Sequence, residues 1–573
     1  MNLPAIIRRR RSGVSPLAIY AVLGIRPELV LDFDDEKYFA NSLRTTFSDL
    51  ITHSATTNAT MVDSDGLLKW RPHNLALNSA TPATQSITVV SGADYTVECT
   101  GVSIALSGAG TGTVTEGNPV TITASTTTLT LTVTGSTGTM WAYRSDLGGM
   151  VNNPDRGDSY VPTTSSAVYL PRRGHHVYNG TSWVNEGLLH ESEQRVNFVS
   201  ESNNATSWSL ISGASVTTNQ AASPDGLITA FNVAETAGPP VAHIAADTAS
   251  FTSGVAYTQS IFLKKGSGVT APDILQLTFG SAAFGSSQYA NYNISTGAVL
   301  TSSGGTALIE DFGNGWYRCI FTATATATTP TTSGLIFTNN NDSLGRVPVY
   351  SGSLTSDVLV YGFQIEAGST PSSYIPTSGA TVTRAAETLT IPSAKLPWPT
   401  PNVIGPELVT NGTFDTDLSS WNNTSSHWQF SSGRAYHPNS STAFPFTQEL
   451  TLTAAPYLHI VTFDVEVVSG SLSVLLSPDA TGAGSLVVGT VTTSGTYSFV
   501  LPNTGNRFIG FWRTFSSSFE GYIDNISVRE IDPLAVSIQM QGRATGNTYT
   551  TNRWYLDANN YITQEINSSD FTF

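Results

Sequence analysis

Four carboxylates, set in two matching frames, are the side chains of this sequence best spaced to share a cation. Asn197, Glu201 and Trp208 stand in order in the first frame, and Asn411, Asp415 and Trp421 in the second. Each frame closes on a Gly-aromatic pair before another acid: Gly362-Phe363 ahead of Glu366, and Gly521-Tyr522 ahead of Asp524. Where opening and closing strands are neighbours, Glu201 can meet Glu366 and Asp415 can meet Asp524. Each pair then offers a hard cation oxygen ligands alongside backbone carbonyls. The alternative is acids that cap turns or face solvent. A second chemistry belongs to the aromatic residues of the second frame, Trp428, Tyr436, Trp512 and Phe430. Flat rings stack against the C–H faces of pyranoses, while amides and carboxylates take the hydroxyls. Trp208 and Trp421, near strand starts, and Trp316 are expected in the core.

Catalytic chemistry has little to work with. The densest acidic run, Asp32 to Glu36, reads as a solvated face. His175 and His176 sit in a turn-rich stretch with no Cys or acid at ligand spacing. No GxSxG elbow, P-loop or HExxH occurs. Cys99 and Cys319 fall in different expected domains and read as small buried residues without a disulfide. A non-enzymatic protein with no required cofactor is expected.

The elements that position these residues are strands. Only 12% of the 573 residues are charged, about half the usual share. Ser, Thr, Gly and Asn supply the polar surface instead, and Thr suits a pleated sheet. A net charge of −16 argues against nucleic-acid binding and against anionic membranes. No apolar run reaches the roughly 18 residues of a membrane span. Residues 1–75 read as an N-terminal docking arm and attachment segment, with Arg8, Arg9, Arg10 and Arg11 as its basic contacts. A signal peptide is the lesser reading there, because no small-x-small cleavage site follows. Period-2 alternation over 76–140 predicts a small immunoglobulin-like sandwich, and 141–196 a hairpin-rich connector. Alternating strands fill 197–384 and 407–530, joined by a Pro-rich linker over 385–406.

Particular motifs carry a resemblance. Arg195-Val-Asn-Phe-Val-Ser-Glu-Ser202, Asp225-Gly226, Ser260-Ile-Phe-Leu-Lys-Lys265, Gly313-Asn-Gly-Trp-Tyr-Arg318, Gly362-Phe-Gln-Ile-Glu-Ala-Gly368 and the stretch from Ser373 to Arg384 resemble the module of phage head-spike fibre proteins. Glu407-Leu-Val-Thr-Asn-Gly-Thr-Phe414 with Trp421, and Gly521-Tyr-Ile-Asp-Asn-Ile-Ser-Val528, resemble the ends of a jelly-roll carbohydrate-binding module. Residues 531–573, with Ser537 to Arg543 and Arg553 to Tyr561, resemble the opening of a concanavalin-like lectin sandwich. That is too short to bury a sandwich core, so either the chain continues past Phe573 or a neighbouring subunit completes the sheet.

The resemblance implies an all-β fold of tandem sandwiches on an extended anchor. It implies a virion surface spike or fibre, placed on the head ahead of the tail, that attaches to host surface polysaccharide. Implied partners are other virion proteins at a capsid vertex, neck or tail, a host glycan, and further copies of the chain, as a trimer ahead of a pentamer. In resembling modules the acid pairs Asp415/Asp524 and Glu201/Glu366 often hold structural calcium. The alternatives are a structural decoration, neck or tail protein without glycan binding, or a secreted bacterial adhesin.

Overall fold

The computed structural model describes residues 29–531 except 41–42, 393–394, 396–402, 424–425, 440–444, 453–457, 503–504 and 514–517, and beyond 531 the backbone of three short strands. Those strands, Asn552–Tyr555, Tyr561–Gln564 and Phe571–Thr572, pair in that order into one antiparallel sheet. The arginines expected to dock, 8–11, and the rest of the segment expected to be lectin-like lie outside the described residues. The chain is nearly all β and divides into two compact units at Pro397/Trp398.

The Thr-rich segment folds as expected into a two-sheet sandwich. Strands Gln85–Thr88, Ser103–Gly108, Gly112–Val114 and Thr128–Thr134 form one sheet; Asp94–Thr100, Val120–Thr123 and Thr139–Arg144 form the other. Apolar residues alternate inward, so Val97, Ile104, Leu129 and Leu131 are fully buried while Thr128 and Thr132 face outward. One detail departs from the immunoglobulin plan, where the first strand lies beside the second. Here the first strand pairs the sixth, and the seventh pairs the second. The two edge strands have exchanged sheets.

The next module has twelve strands: β1 (Leu210–Ser212), β2 (Ala214–Ala222), β3 (Ile228–Glu235), β4 (Ile244–Phe251), β5 (Ala256–Lys265), β6 (Ile274–Thr278), β7 (Tyr289–Asn293), β8 (Ala298–Ser303), β9 (Thr306–Asp311), β10 (Tyr317–Thr324), β11 (Thr329–Phe337) and β12 (Asp357–Ala367). They form two facing sheets, ordered β2-β3-β12-β5-β10-β9 and β1-β4-β11-β6-β7-β8. The second unit has ten: β13 (Val403–Glu407), β14 (Gln429–Ser431), β15 (Arg434–His437), β16 (Phe446–Glu449), β17 (Leu458–Gly470), β18 (Leu472–Ser477), β19 (Leu486–Val491), β20 (Gly495–Leu501), β21 (Phe508–Arg513) and β22 (Phe519–Ile531). Its sheets run β14-β15-β22-β17-β20, with β13 also on β22, and β16-β21-β18-β19.

Without β1, β8 and β9 of the first module and β13 of the second unit, the two orders are identical. One plan is used twice, as the sequence suggested, but its residues align differently. Asn197 Oδ1 accepts the N–H groups of Val199 and Ile365, and Glu407 Oε1 accepts those of Val409 and Val528. The Trp208 indole donates to the Glu201 carbonyl, and the Trp421 indole to that of Asn411. Asn197 therefore corresponds to Glu407 and Glu201 to Asn411, four residues from the expected alignment. The closing strands agree. Each carries a β-bulge at a left-handed residue, Gly362 at φ 64° and Asn525 at φ 51°. Gly and Asn tolerate that conformation best. The two Gly-aromatic pairs are thus not equivalent: Phe363 points into the core, whereas Tyr522 points out.

The segments expected as anchor and connector do more than connect. Val62, Leu68, Trp70 and Leu147 pack on Ala230, Phe262, Trp316, Tyr361 and Tyr374 in one apolar cluster. This layer covers the outer face of the β2-β3-β12-β5-β10-β9 sheet. Beside it lie buried ion pairs. Glu387 contacts Arg71 Nη2 at 2.5 Å and Arg172 Nη2 at 3.0 Å. Glu191 contacts Arg172 Nη2 at 2.7 Å and Arg384 Nε at 3.2 Å. Burial opposes charge on both acids, but the guanidiniums outweigh it and hold each carboxyl near a pKa of about 2.

Candidate functional site

The sheet face that is covered in the first module carries a different set of side chains in the second unit. On β15, Ala435 and His437 are buried while Arg434 and Tyr436 point outward; on β22, Ile523 is buried while Tyr522 and Asp524 point outward. Tyr436 and Tyr522 are direct cross-strand partners, with ring centroids 4.7 Å apart and planes inclined by 33°. Glu466 on β17 stands opposite Tyr522 in turn. Arg434 lies over the Tyr522 ring, 4.1 Å from its centroid, and its Nη1 is 2.7 Å from Glu466 Oε2. The Tyr436 hydroxyl donates to Glu520 Oε1 at 3.0 Å, which raises the Tyr436 pKa. Two rings, a guanidinium and two carboxylates are thereby fixed as one platform.

The adjoining row is acidic. Asp464 and Asp524 are cross-strand partners on β17 and β22, and Thr496 on β20 extends the row. Thr496 Oγ1 and Asn525 Nδ2 donate to Asp464 at 2.5 and 2.7 Å, which lowers its pKa. Asp524 is shifted upward, by burial and by the repulsion of Asp464 and Asp415.

The structure separates the expected aromatic residues. Tyr436 lies on the platform. Trp428 is 3% exposed between the sheets, stacked 5.1 Å from Phe446, and offers no face to a ligand. This is a correction, and its reason is packing: the indole fills the gap between Phe446, His437 and Phe519. Trp512 lies on the opposite outer face, beside Ser473 on the four-stranded sheet. Phe430 is 45% exposed on edge strand β14. Trp208, Trp316 and Trp421 are buried, as expected. Tyr522 was overlooked as a site residue because a Gly-aromatic pair reads as a closing motif. The usable signal was strict alternation through Tyr522, Ile523 and Asp524.

Of the residues expected to pair on calcium, Glu366 and Asp415 each have partners within the chain. Glu366 is fully buried, its Oε1 accepts from Gln364 and Ser372, and Arg195 lies 3.9 Å from its Oε2 as countercharge. Asp415 is exposed and takes the Thr413 hydroxyl at 3.0 Å. Among the described residues no group of three or more His, Cys, Asp or Glu side chains is arranged to hold a metal. Cys99 and Cys319 are both buried free thiols. Among the described residues no helix is long and apolar enough to cross a membrane.

No protein-family model matches this chain, and no curated protein matches it. Among solved structures, a variant of a family 29 carbohydrate-binding module aligns with 22% of this chain and 93% of its own, at 13% identity and a TM-score of 0.18. A tandem of family 22 carbohydrate-binding modules from Paenibacillus barcinonensis aligns with 60% of this chain and 98% of its own, at 12% identity and a TM-score of 0.18.

Proposed function

We propose that this chain is a non-enzymatic virion spike or fibre of the phage type, and that the Tyr436–Tyr522 face of its second unit binds host surface glycan. The observation that carries the binding part is that paired, outward tyrosine platform, braced by Arg434, Glu466 and Glu520. Stacked rings supply apolar contact to a sugar face, and the fixed carboxylates and guanidinium supply hydrogen bonds that orient it. Each site is small, so useful attachment comes from many copies on one particle, through effective concentration. A homo-oligomer, with a trimer ahead of a pentamer, suits that mode. The virion part rests on the motif resemblance over 195–384. On that reading residues 1–75 dock against other virion proteins and the sandwiches stand at the surface, on the head ahead of the tail.

The test is a glycan array probed with the whole chain and with Tyr522→Ala and Tyr436→Ala. Retention on at least one glycan, lost in both variants, is the expected result. Retention unchanged in both variants places binding elsewhere and sinks the site. For the virion part, antibodies to the second unit should decorate purified particles, and undecorated particles that lack the chain by mass spectrometry would overturn it.

A further inference from the structure

The charge balance of the tyrosine face is specific enough to name the class of glycan it takes. Among the described residues two arginines reach this face, and each is already paired: Arg434 with Glu466 at 2.7 Å, and Arg529 with Glu407 at 3.2 Å. Asp464, Asp524 and Glu520 share the face with no ion pair among the described residues. Their partners are neutral donors: Thr496 and Asn525 for Asp464, the Asn525 N–H for Asp524, and the Tyr436 hydroxyl for Glu520. The described residues of the face thus hold five carboxylates against two guanidiniums, an excess of three negative charges that the attraction of Arg434 for Asp524 does not remove, and Asp415 adds a fourth within electrostatic range of Asp524.

We infer that this face selects polysaccharides free of carboxylate, sulfate or phosphate, binds amino sugars tightest, and turns away anionic chains. The inference rests on reading the face as a glycan site. Neutral sugar hydroxyls can donate to Asp464 and Glu520, and an ammonium gains attraction there. A uronate or sulfate meets repulsion that no free guanidinium offsets.

The experiment is an array of neutral, amino-bearing and anionic polysaccharides, probed with the whole chain, with Tyr522→Ala, and with the Asp464→Asn/Asp524→Asn pair, each first shown to unfold like the parent. The expected result is that every ligand lost in Tyr522→Ala is neutral or amino-bearing. The double variant should gain on the order of tenfold on anionic polymers, a gain that shrinks between 50 and 300 mM salt as screening replaces the substitutions. A Tyr522-dependent ligand that is anionic overturns this inference while leaving the glycan site intact. An array with no Tyr522-dependent ligand of any class overturns the glycan reading itself.

Discussion

The same sheet face in the two jelly rolls has opposite fates, and six positions decide which. Through the shared bulge and strand register, Ala230, Asn232, Phe262, Lys264, Leu359 and Tyr361 of the first module occupy the places of Arg434, Tyr436, Asp464, Glu466, Tyr522 and Asp524. Four of the first set are apolar or aromatic and lie under Val62, Leu68, Trp70 and Leu147. The second set is polar or amphipathic and stays half open to solvent. A sheet face with an apolar stripe must be covered, whereas one with charges and tyrosine hydroxyls can remain a surface. One plan therefore yields a structural joint in one copy and a candidate binding platform in the other.

The hardest blow to this comparison is excision. Residues 197–384 expressed without 29–75 and 141–196 should lose on the order of 6–12 kcal/mol, at about 1.5–3 kcal/mol for each of the four covering side chains, and should bind a hydrophobic dye. Residues 403–531 expressed alone should melt cooperatively. Equal behaviour of the two pieces in calorimetry would dissolve the distinction. Next is Glu387→Gln, which leaves Arg71 and Arg172 buried without their shared carboxylate. A loss of about 3–5 kcal/mol is expected, with hydrogen exchange in the second unit unchanged. Trp428→Ala should cost the second unit a similar amount, about 3–5 kcal/mol, without the selective loss of binding that a platform residue would show.

Acid should separate the units in sign. Glu191 and Glu387 are held near about 2 against an ordinary 4.5, so their stabilisation is complete above the ordinary value and is lost as pH falls toward about 2. Asp524 is shifted upward, so protonating it relieves repulsion and favours the folded second unit. Hydrogen exchange at pH 7, 4.5 and 3 should show the first unit loosening before the second. Smallest in stability is Tyr522→Ala, expected within about 1 kcal/mol for an outward side chain, yet abolishing glycan retention. A large stability loss there would make Tyr522 a packing residue and erase the contrast.

Much of the fold was legible because alternation is a local signal. Val97 beside Thr96, and Leu129 to Leu131 among threonines, announce half-buried strands without reference to anything distant. The tryptophan that opens each jelly roll, Trp208 or Trp421, was also readable. The acid pairs were not, because pairing depends on register: a bulge at Gly362 or Asn525 shifts every later residue, and a four-residue offset moves Glu201 from the place of Asp415 to that of Asn411. Trp428 shows the same limit from the side of packing. An indole next to a strand reads identically whether it fills a gap beside Phe446 or faces solvent.

By itself, then, the sequence determined that this chain is a string of β-sandwiches with a repeated plan, since period-2 patterning and turn residues act over a few positions. Only the tertiary structure decided which face of each repeat is buried, which acids meet, and that Tyr436 finds Tyr522. Those outcomes depend on strands far apart in the chain being brought side by side, where cross-strand register, and not spacing along the sequence, sets the neighbours of a side chain.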